Sequence, residues 1–214
     1  MFDQKIRSQV DPWLEKIAVK LHEKEISPNT VTFIGGMIAV YCFVALALGA
    51  YALALIFLIA NRIADGLDGV LAHYIDRQSM QKKTKKKGAT ELGSFLDIVF
   101  DMVFYGGFVF FFALGRPDIG DAATFLLFGF LATSASFLAY ALIIEKCGNA
   151  QKPRSKNKGF YYATNMMEGA ETIGFFILMC LFPGYFNIIA VIFGVFCLAS
   201  AGLRIKLTYN EYKT

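Results

Sequence analysis

The sequence predicts an all-α fold: a six-transmembrane-helix bundle with an N-terminal amphipathic juxtamembrane helix. Three observations carry this. Apolar residues make up 56% of the 214, and mean hydropathy is +0.50, above the range of a soluble domain. The apolar residues gather into six runs close to the roughly 20 residues that a helix needs to cross a bilayer. Nineteen of the 21 Lys and Arg fall in segments that an even number of spans places on one side.

The elements follow in order within one domain, 1–214. Residues 1–27 hold the amphipathic helix. In DPWLEKIAVKLHEKE (11–25), Trp13, Leu14, Ile17, Ala18 and Leu21 form an apolar face with lysines around it. Pro12 suits a first helical turn. Such a helix suits both anionic headgroups and the rim of the bundle. No cleavable signal peptide is expected, because the N-terminus lacks a short apolar core followed by small residues. The six spans then fill 28–206, at roughly 28–50, 51–74, 92–114, 120–145, 163–182 and 184–206. Only Leu48-Gly49-Ala50-Tyr51 parts the first two, which predicts a tight antiparallel pair. The breaker run GRPDIG (115–120) ends the third span, and Pro183-Gly184 ends the fifth. A basic cytoplasmic loop is expected over 75–91.

Charge orients the bundle. Lys5, Arg7, Lys16, Lys20 and Lys24 precede the first span. Arg77, Lys82, Lys83, Lys85, Lys86 and Lys87 follow the second. Lys146, Lys152, Arg154, Lys156 and Lys158 follow the fourth, and Arg204, Lys206 and Lys213 lie at the C-terminal end. Both termini are therefore expected in the cytoplasm. The lysine run 82–87 reads as a solvated loop attracted to anionic lipid, and no nucleic-acid partner is expected. Cys42, Cys147, Cys180 and Cys197 form no CxxC pair, and they read as packing residues rather than disulfides or zinc ligands.

Four aspartates sit in this apolar background. Asp65 and Asp68 are three apart, and Asp97 and Asp101 are four apart. On helices both spacings put the pair on one face. Four converging carboxylates in a bilayer repel each other and lose hydration, so they call for cations. Divalent metals with oxygen ligands are the simplest choice, and they point to phosphate chemistry. Glycines flank the pairs in Asp65-Gly66-Leu67-Asp68-Gly69 and in Gly93-Ser94-Phe95-Leu96-Asp97. They suit either close approach of a ligand to backbone or close helix packing. Gly35-Gly36 and Gly106-Gly107 suit packing.

Asp65-x2-Asp68-Gly69-x2-Ala72 followed by Gly93-x3-Asp97-x3-Asp101 resembles the motif D-x2-D-G-x2-A-R-x8-G-x3-D-x3-D of the CDP-alcohol phosphotransferase (CDP-alcohol phosphatidyltransferase) family. Pro28-Asn29-Thr30-Val31-Thr32 adds the Pro-Asn-x-x-Thr that often opens the family's first span. In overall look the chain is closest to a little-characterised bacterial inner-membrane subgroup. There are two departures. His73 stands where the family has arginine, and 19 residues (74–92) separate it from Gly93 where the family has eight. Arg77, four residues beyond His73, shares its face if the helix continues and offers the missing charge.

The resemblance implies six spans behind an amphipathic helix. It also implies a membrane transferase that moves a substituted phosphate group from a CDP-alcohol to a polar alcohol and releases CMP. CDP-diacylglycerol is the expected donor, the lipid bilayer the setting, and a homodimer the assembly. By carry-over Asp65, Asp68, Asp97 and Asp101 hold two Mg2+ or Mn2+ ions, and Asp101 is the expected general base. Gly69, Ala72, His73, Arg77 and Gly93 are expected to face the donor nucleotide, with Thr32 beside them; Asn61 and Arg62 suit either the border of that pocket or helix–helix hydrogen bonds. Glu168 and Glu171, three apart in the fifth span, are candidates for the acceptor. Arg204 and Lys206, and the loop residues Arg154 to Lys158, lie where they could reach a phosphorylated acceptor. The expected place is the bacterial inner membrane, with the active site on the cytoplasmic side. A CDP-lipid hydrolase or a degenerate lipid-binding paralogue is the alternative. An ion-conducting protein is the weaker rival, since it needs no glycines at fixed offsets from paired aspartates.

Overall fold

A computed structural model describes residues 2–81, 88–147 and 169–212. Among these, every regular element is helical. The helices are α1 (Phe2–Glu23), α2 (Pro28–Ala47), α3 (Tyr51–Gln81), α4 (Glu91–Gly115), α5 (Gly120–Cys147), α6 (Gly169–Leu181) and α7 (Phe186–Tyr212). Short 3-10 turns, Pro117–Ile119 and Pro183–Tyr185, precede α5 and α7. The contacts cluster into two compact units, Met1–Gly115 and Arg116–Thr214.

In the first unit, local chemistry sets the boundaries. The chain leaves α1 with Glu25 at φ 57, with Ile26 N–H bonded to Leu21 C=O and Glu25 N–H to His22 C=O. Ser27 then caps α2, its hydroxyl accepting from Thr30 N–H at 3.2 Å, with Pro28 at the first turn. Such a cap stabilises a helix by about 1 kcal/mol. The tight α2–α3 pair forms as expected. Gly49 takes φ 71, Ala50 N–H bonds Ala45 C=O, and Gly49 N–H bonds Leu46 C=O. This left-handed cap satisfies carbonyls that the helix end leaves open. Thr90 caps α4 by accepting from Gly93 N–H at 3.0 Å.

α1 begins nine residues before the expected 11–25, at Phe2, so Pro12 lies inside the helix rather than in its first turn. Its Leu14 and Ala18 are buried, and Ala18 joins Val31 of α2 and Leu71 of α3 in a small core, while Trp13 is exposed. Helix α3 does not stop at 74. It continues to Gln81, so the first seven residues of the expected 75–91 loop are helical. Ring stacking of Phe43 on Phe104 and Phe111 joins α2 to α4. That contact requires Gly107, because a Cβ there would meet the Phe43 ring at 2.5 Å. Gly35 packs similarly against Ala64, but a Cβ at Gly106 would meet nothing within 4 Å, contrary to the packing expected of it.

In the second unit, α5 packs on α7 where Gly129 faces Gly194, around buried Leu126, Phe176, Phe186 and Phe193. Arg116 spans the base of the unit, bonding Asp118 and the Pro183 carbonyl at 2.5 and 2.6 Å. Arg204 is buried in α7, and its Nη1 donates to Thr133 C=O at 3.0 Å and Ser136 Oγ at 2.6 Å on α5.

Among the described residues, four segments are long and apolar enough to cross a membrane: Pro28–Ala47, Glu91–Gly115, Pro117–Ile143 and Pro183–Asn210. The six-span expectation is thus met at four positions. α3 falls out because Arg62, Asp65 and Asp68 interrupt its apolar run. α6 is the shorter apolar helix Gly169–Leu181, and the rest of the expected fifth span, 163–168, lies outside the described residues. Phe33, Met37, Val40, Tyr41 and Val44 stay half-exposed along α2, as expected of side chains that face lipid. Cys42, Cys180 and Cys197 are buried, as packing residues should be.

Candidate functional site

The site forms at the Thr32 end of α2, where α3 and α4 lie beside it. The Thr32 hydroxyl donates to Asp68 Oδ2 at 2.5 Å, and Pro28 C=O lies 3.2 Å from the same hydroxyl. Asp68 is buried at 8% exposure, and this bond orients its carboxylate. Thr32 thus does more than mark the start of a span: it fixes one of the four aspartates from a neighbouring helix.

Across from it, Asn61 and Arg62 form the densest polar knot in the unit. Asn61 is buried, and its amide donates to Gly35 C=O on α2 at 2.9 Å. Its Oδ1 accepts from Arg62 Nε at 3.0 Å and Nη2 at 2.6 Å. Arg62 Nη1 then donates to Asp101 Oδ1 on α4 at 2.7 Å and stands 3.6 Å from Asp65 Oδ2. The guanidinium lies over the Phe104 ring at 4.7 Å. A continuous chain of hydrogen bonds therefore ties α2, α3 and α4 together.

The four aspartates lie in one region of the first unit without closing on a common point. Asp65 is within electrostatic reach of Asp68, Asp97 and Asp101. Asp97 is exposed, one turn before Asp101 on α4. The donor set suits a hard divalent cation in kind, being made of carboxylate oxygens. Yet among the described residues no three carboxylate, imidazole or thiol groups are drawn closely enough together to share one ion as they stand. The cation between Asp65 and Asp101 is Arg62. Sequence reasoning left Arg62 either at the pocket's border or in a helix–helix hydrogen bond, and the bond to Asp101 on α4 is of the second kind. Its position three before Asp65, on the same face, was the available signal.

The glycines separate by role. A Cβ at Gly69 would meet nothing within 4 Å, so no neighbour within the chain requires a glycine there, and the surface beside Asp68 stays open. Gly66, by contrast, packs on Leu14 of α1, and Gly93 lies against Thr90 and Asn29. Asn29 thus links the Pro-Asn-x-x-Thr segment to the second half of the motif.

The remaining expected residues scatter. His73 and Arg77 are exposed, and Arg77 pairs with Glu15 of α1. Ala72 presents its carbonyl to the returning chain at Gly88. Asp76, which sequence reasoning passed over, holds that return: Oδ1 accepts from Gly88 N–H at 2.7 Å and Oδ2 from Ala89 N–H at 3.1 Å. Glu171 is exposed in the first turn of α6, a favourable place for a carboxylate. Glu168, the run 82–87 and Arg154 to Lys158 lie outside the described residues. Lys206 is exposed.

A model of the CDP-alcohol phosphatidyltransferase family matches residues 25–201, a stretch that holds both aspartate pairs. The chain belongs to the CDP-alcohol phosphatidyltransferase family. It is also similar to the inner membrane protein YnjF of Escherichia coli (strain K12), at 36% identity over 215 residues covering 100% of this chain and 98% of YnjF. CDP-alcohol phosphatidyltransferases are transferases for substituted phosphate groups, and membership supplies a role in phosphatidyl transfer for phospholipid synthesis, with a CDP-alcohol and an alcohol acceptor as substrates. The family generally uses divalent metals, which agrees with the all-oxygen character of the aspartate cluster.

Proposed function

We propose that the protein transfers a phosphatidyl group from CDP-diacylglycerol to a polar alcohol and releases CMP, at the cytoplasmic side of a bacterial inner membrane. One observation carries the choice of a lipid donor. A cavity of about 330 Å³ between α2, α3 and α4 is polar at Thr32, Arg62, Asp65 and Asp68. It continues along Met37, Val40, Phe43, Val103 and Phe104 into surfaces that face the bilayer. A diphosphate beside the aspartates and an acyl chain along these side chains match that division. The even-span charge pattern supports six spans with both termini cytoplasmic, and the homodimer is an expectation from the family.

Asp65, Asp68, Asp97 and Asp101 would hold Mg2+ or Mn2+, which when bound neutralises diphosphate charge and acidifies an alcohol. The chain's own residues do the rest. Thr32 aims Asp68, Gly69 leaves room for the nucleotide beside it, and Asp101 takes the proton of the acceptor hydroxyl. The burial of the α2–α3–α4 interface limits water as a competing acceptor. Glu171, with Glu168, is the proposed contact for the acceptor.

The reading is tested by incubating purified protein with CDP-diacylglycerol, divalent metal and a panel of alcohols, and weighing the lipid product. The expected result is CMP release that depends on one alcohol. CMP release without any alcohol would instead support the hydrolase, and none with any alcohol the degenerate paralogue.

Arg77 is the proposed replacement for the arginine missing at His73. Its present partner Glu15 is an exposed ion pair, worth at most about 1 kcal/mol, so exchange to a donor phosphate costs little. Arg77→Ala is expected to raise the donor KM by about tenfold, the value of one charge-assisted hydrogen bond, with kcat little changed. An unchanged KM removes Arg77 from the site.

A further inference from the structure

Carboxylates gathered in a partly buried setting repel one another, and before any metal arrives a fixed cation beside them relieves that repulsion. The structure shows what supplies it. The Arg62 side chain is 17% exposed, touches carboxylates of both α3 and α4, and rests on Phe104. Asn61 grips it on the other side and is itself anchored to the α2 backbone. Arginine suits this task because it stays charged and its planar fork makes several directed bonds.

We propose that Arg62 is a resident cation that holds the aspartate cluster together in the metal-free protein and is exchanged for a divalent metal when the site loads. Its Nη1 sits 2.7 Å from Asp101 Oδ1, so an ion taking that oxygen competes with it for the same negative charge. The inference rests on the metal reading above and adds a positioning residue to it. Arg62 sets how tightly the cluster binds metal and keeps α3 beside α4 while the site is empty of metal. Ile63, Ala64 and Tyr105 around it carry no charge that could take over the role.

The experiment uses the full chain in nanodiscs, freed of metal by chelation, with Mn2+ as the probe and free Mn2+ counted by electron paramagnetic resonance. Removing a positive charge at contact distance should tighten Mn2+ binding in Arg62→Gln by about tenfold, as expected for opposing charges at intermediate effective dielectric. Arg62→Lys should stay near wild type, since the charge remains. Without metal, Arg62→Gln should melt below wild type, and Mn2+ should raise its melting temperature by more than it raises that of wild type.

If Arg62→Gln does not fold, wild type alone decides. Infrared difference spectra of protein carrying isotope-labelled arginine should show the guanidinium band shift on adding Mn2+. Unchanged or weaker Mn2+ binding in Arg62→Gln, or a silent arginine band, overturns the proposal alone. No Mn2+ binding by wild type overturns the metal reading and this inference with it.

Discussion

Asp68→Asn should abolish CMP release while leaving the helices intact. Asp68 is the most deeply set aspartate of the four, and Thr32 holds its Oδ2 at 2.5 Å. Asparagine fills the same space, so packing against α2 is kept. It loses the negative charge that a divalent cation requires, and its amide nitrogen is no ligand. Losing one anchor of a metal that stabilises developing charge removes several kcal/mol of transition-state stabilisation, on the order of a thousandfold in rate. Initial rates of CMP release with CDP-diacylglycerol and Mg2+ or Mn2+ measure this, with a thermal melt to verify folding. Asp65→Asn, Asp97→Asn and Asp101→Asn should fall as well. Full activity in Asp68→Asn would end the two-metal reading. Thr32→Val makes a graded companion: it leaves Asp68 charged but unaimed, so its loss should be smaller, about tenfold, the value of one hydrogen bond to a charged group.

How legible was this in the chain? Features set by neighbouring residues could be read directly. Ser27-Pro28 opens α2 because a hydroxyl cap and a proline at the first turn act within four residues. Gly49 turns α2 into α3 because only its own backbone must go left-handed. The aspartate pairs share faces because spacing alone decides that. What escaped depends on partners far along the chain. Nothing local says that Arg62 chooses Asp101, 39 residues away, or that Arg77 turns to Glu15, 62 residues back. Hydropathy also treated α3 as an ordinary span ending near 74, because it does not register that polar residues after the aspartates still favour helix as far as Gln81.

Gly88→Ala should cripple the enzyme from outside the aspartate cluster. The chain leaves the motif at Asp76 and returns at Gly88, where the two backbone N–H groups of Gly88 and Ala89 are clasped by the Asp76 carboxylate. The eleven residues 77–87 lie beyond that clasp, and without them eight residues would separate His73 from Gly93, which is the spacing of the family motif. The clasp closes the connection at that shorter spacing, and it is expected to set the position of Gly93, Asp97 and Asp101. It works only because Gly88 has no side chain: a Cβ there would stand 2.1 Å from the Ala72 carbonyl oxygen and 2.9 Å from Ile75 Cβ. Backbone cannot yield as a flexible side chain can, so alanine must push the return off α3 by about an ångström, a displacement that costs on the order of a hundredfold in rate when it reaches reacting groups. Deleting 77–87 and joining Asp76 to Gly88 provides the opposite outcome. It should keep kcat within about threefold, since residues outside a closed base contribute little to the geometry of that base. Its donor KM should shift no further than that of Arg77→Ala. Rates for both variants, with helix content by circular dichroism, decide the matter. A fully active Gly88→Ala, or a dead deletion with an intact fold, would mean that the clasp does not set the position of α4. Both results as expected would make the long basic connection an addition to a site whose frame is closed at Asp76.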